Sequence, residues 1–167
     1  MMKLLLPLEI QDVLIRELRA EGRRECGGIL FGEHIGENLF QIAGITKQKG
    51  GGTNSHFVRD PTQHADQLDQ FFREHSENCS RFNYLGEWHS HPSFELAPSS
   101  ADLLSMSELV SDPSVGVSFA VLLIARLEKP RDLYLSATLC QPPERFSSIS
   151  MFIEARLTVI RKRFRLL

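Results

Sequence analysis

Asn83-Tyr84-Leu85-Gly86-Glu87-Trp88-His89-Ser90-His91-Pro92, followed after residues 93–98 by Ser99-Ser100-Ala101-Asp102, decides how this chain is read. Asn83 to Ser90 is rich in aromatic and β-favouring residues and predicts a strand that ends at Pro92. Successive strand side chains point to opposite faces. Leu85, Glu87, His89 and His91 are therefore expected on one face, with Gly86, Trp88 and Ser90 on the other. The two histidines then lie about 6.6 Å apart at Cα, which suits two imidazoles converging on one ion.

From Ser99 onward the pattern becomes helical, with Leu103, Leu104, Met106 and Leu109-Val110 at near-helical spacing. Asp102 falls in the first turn of that helix, where a carboxylate is favoured by the helix dipole. With the helix start docked over the strand end, Asp102 reaches the ion held by His89 and His91. Three such ligands with a fourth position left to water are the form of a catalytic zinc site. Each fragment also has a plain structural reading. Ser99 and Asp102 suit a helix N-cap with an acidic first turn, and two histidines at a strand end suit half-exposed polar positions. Their joint occurrence at a compatible distance favours the metal.

The arrangement resembles the JAMM (MPN-plus) zinc metalloprotease motif: an upstream glutamate, His-Ser/Thr-His-Pro, six residues and Ser-x-x-Asp. The chain reads HSHP at 89–92 and SSAD at 99–102, and RECGGILFG at 24–32 resembles the family's first strand with its glutamate at Glu25. The resemblance runs loosely from Leu8 to Cys140, and YLGEWHSHP is similar to a bacterial JAB-domain branch found beside ubiquitin-activating-like and ubiquitin-conjugating-like proteins in anti-phage operons. It implies one zinc ion on His89, His91 and Asp102. It further implies Glu25 as the proton shuttle, and Ser99 as the hydroxyl that bonds the developing oxyanion. Its implied fold is an α/β (mixed α+β) sheet flanked by helices, of cytidine-deaminase-like architecture. Glu87, Glu33 and Glu21 are the rivals of Glu25, Glu87 because it shares the histidine face.

Composition agrees with one domain over 1–167. With 167 residues, 42% of them hydrophobic, the chain is long enough to bury a core without disulfides. A net charge of −2 gives no basic field for nucleic acid. The odd, scattered Cys26, Cys79 and Cys140 fit a reducing cytoplasm and exclude a zinc knuckle of C-x-x-C pairs. MMKLLLPLEI is too short and too soon acidic for a signal peptide, and no run reaches membrane-spanning length.

Along the chain, a helix is predicted over Leu8 to Ala20, strands over Cys26–Gly32 and Leu39–Thr46, and a flexible loop over Lys47–Ser55. That loop lacks the Gly-Lys-Ser/Thr ending of a phosphate-binding loop. A helix follows over Thr62 to Ser76, then the motif strand and helix. Strands near Val115–Leu127 and Leu133–Cys140 come next, and a last helix over Glu144 to Arg163 carries Phe146, Ile149, Phe152-Ile153, Leu157 and Ile160. The terminal RKRFR run offers either a contact for nucleic acid or an acidic surface or, as the favoured reading, a complement to that helix's negative end. Other chemistries lack their residues: there is no H-E-x-x-H, no P-C-x-x-C and no G-x-S-x-G. Cys26 reads as a buried strand cysteine rather than a nucleophile, and His75 as a residue at a helix C-terminus.

Three functions follow from the resemblance. One is an isopeptidase that cuts a ubiquitin-like protein from a target lysine. A second is a peptidase that trims the C-terminus of a ubiquitin-like or sulfur-carrier precursor. The third is a non-catalytic scaffold on the same fold. The implied partners are the ubiquitin-like protein or its conjugate and the neighbouring activating and conjugating proteins, with neither nucleic acid nor membrane.

Overall fold

The computed structural model describes residues 1–50, 52–53, 60–75, 78–129 and 131–155. Its elements run β1 (Lys3–Leu6), α1 (Leu8–Glu21), β2 (Gly27–Gly36), β3 (Leu39–Ile45), α2 (Ala65–Glu74), β4 (Phe82–Ser90), α3 (Ser100–Ser111), β5 (Ala120–Leu127), β6 (Leu133–Gln141), β7 (Arg145–Ser148) and β8 (Ser150–Ile153). The eight strands form one mixed sheet in the order β7-β6-β5-β4-β2-β3-β1-β8. Among the described residues the architecture is a mixed α/β sheet flanked by three helices.

The helices pack on opposite faces of the sheet, each through its own apolar stripe. Ile10, Leu14 and Leu18 of α1 pack on Leu4, Leu6, Leu30, Ile42, Trp88, Val121 and Leu123. On the other face, Met106, Leu109 and Val110 of α3 cover Ala120, Leu122, Ile124 and Cys140, and Phe71 of α2 stacks on Phe31 of β2. Each fully buried side chain of this kind stabilises the docking by about 1.5–3 kcal/mol. The three core residues of α3 thus anchor the helix whose first turn carries Asp102. β5 lies between β4 and β6 in the sheet, and AVLLIA at 120–125 is wholly buried, which explains its continuous apolar run.

β4 departs from simple alternation. It pairs antiparallel with β2, but the register jumps from Leu30↔Gly86 to Phe31↔Tyr84, so Leu85 has no opposite number. This bulge turns Leu85 into the α1-side core beside Trp88, whereas Glu87 stays with Tyr84, whose hydroxyl donates to it at 3.4 Å. The expectation that Leu85 and Glu87 share a face is corrected accordingly: a bulge resets the two-residue period. Gly86 makes it possible, with φ 151° and a position where a Cβ would run into the Val121 backbone.

The predicted helix over Glu144 to Arg163 is also corrected. Arg145–Ser148 pairs antiparallel with β6, and Ser150–Ile153 pairs parallel with β1. Residues 156–163 of that prediction, and the RKRFR run, lie outside the described residues. Backbone pairing won over an apolar spacing that matched a helix, in a stretch containing the weak helix formers Ser147, Ser148 and Ser150. One extended segment therefore carries both ends of the sheet. Ile149 sits buried at the junction with its N–H on Ala137 O at 3.0 Å, and the sheet curves until its ends meet there. β1 was not foreseen, although Leu4 and Leu6 are fully buried. The other differences are of boundary: α2 starts three residues later than expected, after a short 3-10 turn at Pro61–Gln63, and β5 starts at Ala120 rather than Val115.

Candidate metal centre

His89 is on β4 and His91 is the next residue but one, where the His91 N–H still bonds Ala125 O of β5 at 3.0 Å. Both imidazoles are buried, in contrast to the half-exposed placement that a purely structural reading allowed. Asp102 arrives from the first turn of α3. Ser99 caps this helix reciprocally: Asp102 N–H donates to Ser99 Oγ at 3.2 Å, and Ser99 N–H donates to Asp102 Oδ2 at 2.7 Å. The plain capping reading and the ligand reading are thus the same geometry. The cap aims the carboxylate.

The three ligand groups meet. His89 Nε2 and His91 Nε2 are 3.0 Å apart, His89 Nε2 lies 3.5 Å from Asp102 Oδ1, and His91 Nε2 lies 3.7 Å from Asp102 Oδ2. Among the described residues these form the group able to hold a metal ion, with donor atoms all within 4.8 Å of one another. Metal–ligand bonds of about 2.0–2.2 Å arranged tetrahedrally require donor atoms about 3.3–3.5 Å apart. The observed separations, taken over both carboxylate oxygens, lie close to this range.

Proton placement supports the fit. His91 Nδ1 is 2.7 Å from Glu95 O, a carbonyl that only accepts, so Nδ1 carries a hydrogen and Nε2 is the ring nitrogen left facing the other two groups. At Asp102, burial on its own raises the carboxyl. The hydrogen bond and charge of His89 and the bonds from Ser99 outweigh it, and they hold the acid well below the usual carboxylate range. The aspartate is therefore ionised, as a ligand must be.

Glu25 precedes β2 and is 6% exposed. Gly27 pairs with His89, and Ser90 N–H donates to Cys26 O at 2.8 Å, so the antiparallel register carries Glu25 opposite His91 on the same face. Its backbone is tied down by a 2.7 Å bond from Glu25 N–H to Thr53 O. The segment reaching Thr53 passes close over Gly28, where a Cβ would strike the Thr46 carbonyl. A glycine in the ECGGILFG run is thus demanded by close backbone approach.

The rival acids sit elsewhere. Glu21 pairs with Lys47 at 2.7 Å, and Glu33 pairs with Arg81 at 2.6 Å towards the opposite end of β2. Glu87 keeps the histidine face but accepts from Tyr84 and lies near Cys140, whose thiol is pushed up to about 11 by burial and then by Glu87. Burial likewise raises the Cys26 thiol, which contacts Ser90 Oγ, and neither cysteine is an activated nucleophile. Of the remaining histidines, His34 stacks on Phe40, His64 Nδ1 bonds Thr46 Oγ1 at 2.7 Å, and His75 closes α2 with Nδ1 on Phe71 O at 2.8 Å. His56 lies outside the described residues.

Sequence reasoning did not single out the Glu95 carbonyl that sets the His91 tautomer, nor the neighbouring carbonyls of the same loop. No local pattern marks a main-chain oxygen as a partner of a ring nitrogen. Ser99→Ala tests the cap directly. We expect about 1 kcal/mol loss of stability in thermal or denaturant melts from the lost bond to Asp102 N–H.

A buried His-x-His pair at a strand end, joined by an aspartate from the next helix start, defines an α/β protein with a candidate three-ligand metal centre. The chain belongs to the prokaryotic homologs of the JAB domain, a family that matches residues 7–138. Its fold is similar to the solution structure of protein DSY2949 from Desulfitobacterium hafniense, with a TM-score of 0.68 at 19% sequence identity, over 92% of this chain and 94% of that one. No curated protein matches the sequence. Among the described residues, no helix is long and apolar enough to cross a membrane.

Proposed function

We propose that this chain is a zinc-dependent isopeptidase that hydrolyses the bond between the C-terminus of a ubiquitin-like protein and a target lysine, in the cytoplasm and in bacterial anti-phage defence. The carrying observation is the convergence of His89, His91 and Asp102 in a member of the prokaryotic JAB family. These three residues would hold the ion. Zinc bound there supplies Lewis acidity and a water acidified towards a pKa of about 7.

The chain's own residues do the rest. Glu25 accepts the proton of the attacking water and returns it to the departing lysine amine, a two-way role suited to a buried carboxylate. The Ser99 hydroxyl accepts from Asp102 N–H and also serves the Asp102 carboxylate, and in the reaction its hydrogen is turned to the developing oxyanion. An extended substrate tail pairs main chain to main chain beside this site, so backbone bonds supply much of the affinity. The partners in this reading are a ubiquitin-like protein or its conjugate, and ubiquitin-activating-like and conjugating-like proteins of the same operon.

The test is metal analysis of the purified protein, followed by two substrates offered side by side: a lysine-linked conjugate and a linear C-terminal fusion. One equivalent of zinc with preferential cleavage of the conjugate supports the proposal. Preference for the linear fusion assigns precursor processing instead, and protein without metal or cleavage assigns a scaffold.

A further inference from the structure

Residues 92–98 link β4 to α3 without helix or strand of their own, yet they set where Asp102 falls relative to His89 and His91. Three consecutive carbonyls in this loop are each taken by a side chain from elsewhere in the chain, two of them from strands and one from His91 just after β4. Arg126 Nη1 of β5 donates to Phe94 O at 2.8 Å, His91 Nδ1 bonds Glu95 O at 2.7 Å, and Ser136 Oγ of β6 donates to Leu96 O. Arg126 is itself held by Glu128 at 2.7 Å and lies 5.8 Å from the centre of the Tyr134 ring.

We propose that Arg126 and Ser136 are positioning residues of the metal centre. The carbonyl that fixes the His91 tautomer lies between the two they clamp. Moving Phe94 O or Leu96 O swings Glu95 O off Nδ1, and it shifts the entry of α3 with Asp102. Neither residue touches the ion; each acts through the loop. The inference rests on the metal-binding part of the proposed function and not on the identity of the substrate.

Zinc affinity of the full chain, measured by competition with a chelator, tests it, with the melting temperature of the metal-free protein recorded alongside. Residues that orient ligands change metal affinity by about 10–100-fold when removed. Ser136→Ala deletes one oxygen and is expected to weaken zinc binding by about tenfold, and Arg126→Ala by at least as much. The metal-free melting temperature of Ser136→Ala should change little. Ser136→Thr keeps the hydroxyl on a β-favouring residue and is expected to restore affinity to within about threefold of the unaltered protein. Equal zinc affinity in all four proteins overturns this inference while leaving the metal centre intact. A Ser136→Thr variant as weak as Ser136→Ala also overturns it. Failure of the unaltered protein to take up zinc removes the metal reading beneath it.

Discussion

Glu25→Gln will take up zinc as the unaltered protein does and lose cleavage by about 10²–10⁴-fold, the usual contribution of a positioned proton carrier. Glutamine preserves the size of the side chain and the backbone bond to Thr53 O, so the site keeps its shape. It cannot accept and return a proton. Zinc content and turnover, measured on the same preparation, separate these effects. Full turnover in the variant would remove Glu25 from the mechanism. Glu87→Gln is the control, since Glu87 shares the histidine face but is engaged with Tyr84. It should leave turnover within a few-fold.

His91→Ala will lose metal and turnover together, because in the proposed site the ring offers Nε2 to the ion and answers Glu95 O at Nδ1. Structural zinc sites bind with about 10–16 kcal/mol across their ligands, so one lost ligand weakens binding by on the order of 10²–10³-fold. His89→Ala should fall equally far in metal content, though it frees no loop carbonyl. Chelator competition and stoichiometry by metal analysis read both. A His91→Ala protein that keeps its full equivalent of zinc with native affinity would mean the ion is held elsewhere.

Much of the site was legible because its ligands are local. Two histidines two apart on extended backbone share a face wherever no bulge falls between them. Ser99 and Asp102 form their reciprocal cap within one turn of α3. The major strands and α1–α3 followed from their apolar periods for the same reason. The misread elements are those whose state depends on distant partners. Residues 145–153 have the spacing of an amphipathic helix, and only the vacant sides of β6 and β1 make them strands. Leu85 changed faces because of the bulge at Gly86, for which the sole signal was a glycine inside a strand.

The sequence by itself determined a His-His-Asp donor set, its spacing, and the strand and capped helix that present it, since each depends on backbone geometry over a few residues. Only the tertiary structure decided that Glu25 stands opposite His91, that Arg126 and Ser136 grip the loop between the ligands, and that the imidazoles are buried. Those facts depend on strand register and helix docking, which pair residues many positions apart and are set by burial of the whole core rather than by any local stretch.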